Sequence, residues 1–148
     1  MNIEAKYFGD ISYETPDIIQ VINGLFGFET YTKYISIPFQ EYDDTMLSLQ
    51  SLEDETLSFV LMNPFALMPD YTPVLPAQDK KELKIQDNEK NLAYYVICVI
   101  RDSVEASTVN LKAPLAINID TNKAKQVILE DSKYTFRHVL GDLMKKED

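Results

Sequence analysis

The stretch Leu-Ala-Tyr-Tyr-Val-Ile-Cys-Val-Ile, residues 92–100, is the clearest indication of the fold in this chain. It is apolar or aromatic at every position, so a strand formed here must be buried on both of its faces. Its β-branched and aromatic residues favour a strand over a helix. We therefore predict a central β-strand around which the other strands are arranged.

On either side of this stretch, shorter runs alternate between apolar and polar residues with a period of two, the pattern of half-buried strands. They are residues 3–7, 35–37, 46–50, 57–62 and 115–119. Turn-forming residues separate several of them, as at Gly9-Asp10 and at residues 120–122. Because strands and helices do not alternate, the sequence predicts an all-β fold, either a mainly antiparallel small β-barrel or a barrel-like sandwich.

Two segments depart from the strand period and predict short helices. Pro76 precedes a polar run, and proline is favoured at the start of a helix, so we predict a surface helix near residues 76–84. From about residue 135, apolar residues recur at helical spacing and predict a C-terminal helix. That stripe comprises Phe136, Val139, Leu140, Leu143 and Met144. Since 148 residues is a common size for one domain, we predict a single β domain over residues 1–148 with a helical C-terminal extension.

The composition argues against several classes of function. The chain has one histidine, His138, and one cysteine, Cys98, so a histidine-based triad or a multi-histidine metal site cannot be assembled within it. It also lacks a glycine-rich phosphate loop and the Gly-x-Ser-x-Gly motif of many hydrolases. We predict no enzymatic activity, no cofactor and no metal site, and we expect Cys98 to be a core residue.

Nucleic acids and membranes are also poor candidates for partners. Lysine and arginine are outnumbered by acidic residues and are scattered, whereas phosphate binding requires a basic surface. No apolar run approaches the roughly 20 residues of a membrane helix. The first ten residues do not resemble a signal peptide, so we expect a cytoplasmic protein.

The acidic residues are distributed unevenly. The formal net charge is −10, and eleven of the 24 acidic residues fall in the first 60 positions, where the only basic residues are Lys6 and Lys33. These acidic residues either keep the protein soluble or form a surface that recognises a basic partner. The carboxylates Asp43 and Asp44, and those of residues 53–55, lie beside predicted strands. These carboxylates either lie in solvated loops or form a protein contact site.

Two prolines, Pro64 and Pro69, are expected to hold residues 63–71 in a defined shape. The apolar side chains of this segment do not follow a strand or helix period. They are Phe65, Leu67, Met68 and Tyr71. We expect them either to plug one end of the barrel or to present an apolar surface to a partner.

Six segments, taken in order, carry a family resemblance. They are Gly-Leu-Phe-Gly-Phe-Glu at 24–29, Leu-Gln-Ser-Leu-Glu-Asp at 49–54, Phe-Val-Leu-Met-Asn-Pro-Phe at 59–65, Pro-Asp-Tyr at 69–71, Asn-Leu-Lys-Ala-Pro-Leu-Ala-Ile-Asn at 110–118 and Gln-Val-Ile-Leu at 126–129. From about residue 3 to residue 138, the chain resembles the flagellar assembly factor FliW family. It departs from the family pattern at Phe26 and Glu55, where family members usually have proline.

The resemblance implies a small, non-enzymatic β-barrel protein that exchanges partners. Members of the family bind flagellin and the RNA-binding translational repressor CsrA. When flagellin is exported, the freed family member binds CsrA and relieves its block on flagellin translation, by a route described as allosteric. The resemblance therefore implies a cytoplasmic regulator of flagellar assembly, and we expect it to be monomeric when alone.

These partners suggest two binding sites. We expect the repressor to contact an acidic site formed by Asp43, Asp44, Glu53, Asp54 and Glu55. We expect flagellin to bind an apolar groove formed by Phe26, Phe28, Phe65, Met68 and Tyr71, because helices dock through a few large apolar side chains. An alternative function is a β-barrel that holds a small apolar ligand in its lumen.

Overall fold

The computed structural model describes residues 1–131 and 133–145. Within them, the strands are β1 (Asn2–Ala5), β2 (Gly9–Ser12), β3 (Ile19–Val21), β4 (Lys33–Gln40), β5 (Asp43–Ser51), β6 (Ser58–Met62), β7 (Leu92–Val99), β8 (Thr108–Val109), β9 (Leu115–Asn118), β10 (Lys123–Gln126) and β11 (His138–Val139). The α-helices are α1 (Pro64–Leu67), α2 (Ala77–Glu82) and α3 (Leu140–Lys145). Residues Thr15–Asp17 form a single 3₁₀ turn.

Seven strands close into a barrel in the order β3, β4, β5, β6, β7, β9, β10 and back to β3. The neighbouring strands are antiparallel except for β3 and β10, which run parallel. The predicted central strand is β7. It pairs with β6 along one edge, and along the other it pairs first with β9 and then with β8. The predicted all-β barrel is therefore confirmed.

Two apolar layers stabilise this barrel. The first contains side chains from all seven ring strands, so it fills the interior; its buried members include Ile19, Val21, Tyr34, Leu47, Leu49, Leu61, Leu115, Ile117 and Ala124, with Tyr95 and Ile97 packed against them. The second covers the outer face of β6 and β7, where Val60, Val96 and Cys98 pack against the 63–91 segment and the C-terminal residues. Both faces of β7 thus contact a core. Burial raises the pKa of the Cys98 thiol, which lies in the core as predicted.

The helix predicted near residues 76–84 is α2. The ammonium group of Lys125, on β10, lies 2.7 Å from carboxylate oxygens of both Asp79 and Glu82, which ties α2 to the barrel. These bonds lower the pKa of Glu82 and raise the pKa of Lys125.

The C-terminal helix is present but begins at Leu140, later than the predicted start near residue 135. The difference arises because His138 and Val139 pair with Val109 and Thr108 as strand β11. Of the predicted apolar stripe, Leu140 and Leu143 are buried, whereas Phe136 and Val139 are exposed. The side chain of Met144 lies outside the described part of the structure.

A buried glutamine, Gln50 on β5, connects the N-terminal hairpin to the barrel. Its side-chain oxygen accepts a hydrogen bond from the backbone N–H of Lys6 at 2.8 Å. Its amide nitrogen lies 3.1 to 3.4 Å from four carbonyl oxygens, those of Ser51, Asp54, Glu55 and Leu57. One side chain therefore holds both the β1–β2 hairpin and the turn that follows β5.

Replacing this glutamine tests its role. We expect Gln50→Leu to lower the free energy of unfolding by about 2 to 4 kcal/mol, because several buried polar groups would lose their partner. Urea denaturation followed by circular dichroism measures the change. Gln40→Leu, at the exposed end of β4, is the control and is expected to change stability by less than about 0.5 kcal/mol. Equal stability of the two variants would contradict this role.

Candidate functional site

The five carboxylates predicted to form one acidic site lie at two ends of the barrel. Asp43 and Asp44 begin β5, and residues 53–55 follow its last residue, Ser51. A strand of nine residues spans about 30 Å at roughly 3.3 Å per residue. The structure therefore brings Glu53, Asp54 and Glu55 together but places Asp43 and Asp44 far from them.

Several of these carboxylates also hold backbone turns. One carboxylate oxygen of Glu53 accepts hydrogen bonds from the backbone N–H groups of Thr32 at 2.7 Å and Lys33 at 3.0 Å. Asp54 accepts from the hydroxyl and backbone N–H of Thr56, and these bonds lower its pKa. Asp43 accepts from both groups of Thr45 in the same way, and its pKa is also lowered.

The predicted apolar site also divides into two parts. Tyr71 is buried, and its hydroxyl donates to the carbonyl of Leu111 at 2.7 Å. The pKa of the Tyr71 hydroxyl is raised, mainly because the side chain is buried. Phe65 is half-exposed and contacts the rings of Tyr71 and Tyr94. Met68 packs against the same outer core layer, so the 65–71 segment mainly covers that layer.

Phe26 and Phe28, in contrast, line an open groove of about 680 Å³. The groove lies at the end of the barrel where β7 finishes and β6 begins, and Phe59, Val99 and Ile100 also line it. Phe136, Arg101 and Arg137 complete one side. These last three residues were not predicted as site residues, because they lie in connecting segments that are far from Phe26 and Phe28 along the chain.

The loop that carries Phe26 and Phe28, residues 22–32, has a defined shape. Gly24 has a φ of +71°, and a Cβ atom there would lie 2.6 Å from the Cα atom of Glu29. Leu25 is buried in the barrel interior. The backbone N–H of Phe26 donates to the side-chain oxygen of Gln126 at 2.8 Å. A proline at this position could not make that bond, because it has no backbone N–H.

Aromatic contacts orient the groove side of this loop. The ring of Phe28 packs edge-on against the ring of Phe59, with centroids 4.9 Å apart. Glu53 fixes the other end of the loop through Thr32 and Lys33. The groove and the acidic turn of residues 53–55 thus lie at the same end of the barrel.

Residues 1–131 and 133–145 contain no group of three or more histidine, cysteine, aspartate or glutamate side chains arranged to hold a metal ion. Over that same part of the chain, no helix is long and apolar enough to span a membrane.

Comparison with known proteins gives a consistent result. The family model described as FliW protein matches residues 2–140. A flagellar assembly factor FliW of Ruminiclostridium cellulolyticum is 36% identical over 148 residues, covering 100% of this chain and 99% of that protein. One from Syntrophus aciditrophicus is 38% identical and covers 100% and 90%. A crystal structure of the flagellar assembly factor FliW superposes with a TM-score of 0.86 at 32% identity, covering 95% of this chain and 96% of that one.

The role of Glu53 in holding the groove loop can be tested separately from its charge. Glu53→Ala removes the acceptor for Thr32 and Lys33, whereas Glu53→Gln keeps a side-chain oxygen. We expect hydrogen exchange of these two amides to become at least about five-fold faster in the alanine variant and to change less in the glutamine variant. Glu55→Ala is the control, because the Glu55 side chain forms no hydrogen bond with any residue of 1–131 and 133–145. Equal exchange in all three variants would contradict the assignment.

Proposed function

The chain belongs to the FliW family, and on that premise we propose that this flagellar assembly factor acts by exchanging two protein partners, flagellin and the translational repressor CsrA. In this proposal, flagellin occupies the factor until it is exported. The freed factor then binds CsrA and lowers the affinity of the repressor for RNA through an allosteric effect. The observation that carries the proposal is the juxtaposition of an apolar groove and an acidic turn at one end of the barrel.

The groove is the proposed site for flagellin. Phe26, Phe28 and Phe136 line it and remain between 38% and 54% exposed, although the chain has two well-filled cores. Exposed aromatic side chains grouped in a groove are typical of surfaces that bind a helix through a few large anchors. We propose that the helical termini of flagellin are such a partner.

The turn of residues 53–55 is the proposed contact for the repressor. An RNA-binding protein carries a basic surface, and a cluster of carboxylates attracts it and then repels the RNA phosphates. Asp43 and Asp44 lie at the other end of β5, so we propose that they contribute to the overall negative field and not to the same contact. Because Glu53 holds the loop that carries Phe28, occupation of the groove and of the turn is expected to be mutually exclusive.

The alternative of a small-ligand barrel receives no support from the interior. The side chains of Tyr34, Leu49, Leu61 and Leu115 fill it and are at most 1% exposed. Catalysis is not a role of a flagellar assembly factor, and we propose none.

Flagellin binding tests the groove. We expect Phe28→Ala to weaken the binding of monomeric flagellin by more than about 1 kcal/mol, or at least about five-fold, in isothermal titration calorimetry. Phe65→Ala is a matched control, because Phe65 is similarly exposed, at 42% against 38%, but lies outside the groove. The site is wrong if the Phe65 variant loses as much affinity as the Phe28 variant.

Association kinetics with the repressor test the acidic turn. The triple variant Glu53→Gln, Asp54→Asn, Glu55→Gln removes the charges but keeps oxygen acceptors for the turn. We expect its association rate to fall several-fold at low salt and the difference to shrink at high salt, because exposed charges act mainly on the association rate. The variant Asp43→Asn, Asp44→Asn is expected to show a smaller effect. An unchanged rate for the triple variant, with repression still relieved, would exclude this site.

A further inference from the structure

The chain has only two arginines, Arg101 and Arg137, and both line the groove. Arg101 follows β7, where its backbone N–H donates to the hydroxyl of Ser107 at 2.9 Å. Arg137 directly precedes β11, beside β8 in the sheet. The pairing of β7, β8 and β11 therefore brings together two cationic residues that are far apart in the sequence.

These two positive charges have no acidic counterpart in the lining of the groove. The chain contains 24 acidic residues, and the acidic turn of residues 53–55 lies at the same end of the barrel, yet no aspartate or glutamate of the described residues lines the groove. Within residues 1–131 and 133–145, neither guanidinium group forms an ion pair with a carboxylate. By comparison, Lys125, Lys80 and Lys133 each lie within 3.6 Å of a carboxylate oxygen. The groove is thus a positively charged apolar site on a protein with a net charge of −10.

The composition of the groove fits a protein segment better than a small molecule. Val99 and Ile100 are 45% and 57% exposed, so a compact ligand would leave much of the lining in contact with water. Aromatic residues and arginine are also the residue types enriched in protein interfaces. The guanidinium group presents several N–H donors in a plane and can bind a carboxylate with two parallel hydrogen bonds.

From these observations we infer that the groove selects an apolar protein segment that carries carboxylate side chains, which Arg101 and Arg137 bind. The negative charge elsewhere on the surface disfavours an acidic partner, so these arginines direct such a segment to the groove. This inference rests on the proposed function, because it takes flagellin as the occupant. It adds which chemical feature of the partner is recognised and which residues recognise it.

Binding measurements with two probes test the inference. The first probe is monomeric flagellin, and the second is a designed helical peptide with leucine and phenylalanine on one face and glutamates beside that face. We expect Arg101→Gln and Arg137→Gln each to weaken both interactions about five- to ten-fold at low salt. A version of the peptide with glutamine in place of each glutamate is expected to bind the wild-type protein as weakly as the arginine variants bind the glutamate peptide. The arginine substitutions are expected to cause no further loss of affinity for this glutamine version.

Lys81→Gln is the control for net charge, because Lys81 is exposed on α2 and lies outside the groove. The inference is overturned if this variant loses as much affinity as the arginine variants, or if the arginine variants bind both probes as wild type does. The inference is also overturned if the arginine variants lose binding to phosphatidylglycerol vesicles, or lose self-association of the chain, while their affinity for the peptide is unchanged. If flagellin does not bind while the acidic peptide binds through the arginines, flagellin as the occupant fails together with the proposed function, whereas the recognition of carboxylates by the two arginines is supported.

Discussion

The barrel closes at β7, and the positions of the groove, the outer core layer and the C-terminal elements all follow from how this strand shares its edges. This strand uses one edge for β6 and divides the other between β9 near its start and β8 near its end. The division separates β8 and β11 from the closed ring at the C-terminal end of β7. The groove forms where these elements diverge and where the 22–32 loop crosses the same barrel end.

Buried amide side chains attach the loops to this barrel. Gln126 accepts from the N–H of Phe26 and donates to the carbonyl of Ala113, and Asn118 donates to the carbonyl of Leu83 at 2.8 Å. Gln50 accepts from the N–H of Lys6 beside the N-terminal hairpin and donates to the carbonyl of Glu55 in the acidic turn. A buried polar group is costly unless it is fully bonded, so each amide requires one particular loop conformation. The loops of the surfaces proposed for binding are therefore held in place by buried amide side chains.

The candidate site was only partly predictable from the sequence. Phe26 and Phe28 lie two residues apart in one loop, and the structure places both in the groove. The five acidic residues were predicted to form one site because only eight positions separate Asp44 from Glu53. In the structure an extended strand lies between them, so the two groups are far apart. Tyr71 belongs to the 63–71 segment, for whose apolar side chains the sequence leaves two roles open, a plug at one barrel end and a partner surface. Its contact with Leu111, 40 residues away in the sequence, decides for the core.

From the sequence alone it was possible to predict strands β1, β4, β5, β6, β7 and β9, the central position of β7, a helix near residue 80 and the order of the family segments. These properties depend on local periodicity and composition, because a side chain's neighbours along the chain set which face it occupies. The pairing of strand edges, the loops that share a barrel end and the presence of both Arg101 and Arg137 in the lining of one groove became evident from the folded structure. Those relations depend on hydrogen bonds and packing between residues far apart in the chain, which local patterns do not encode.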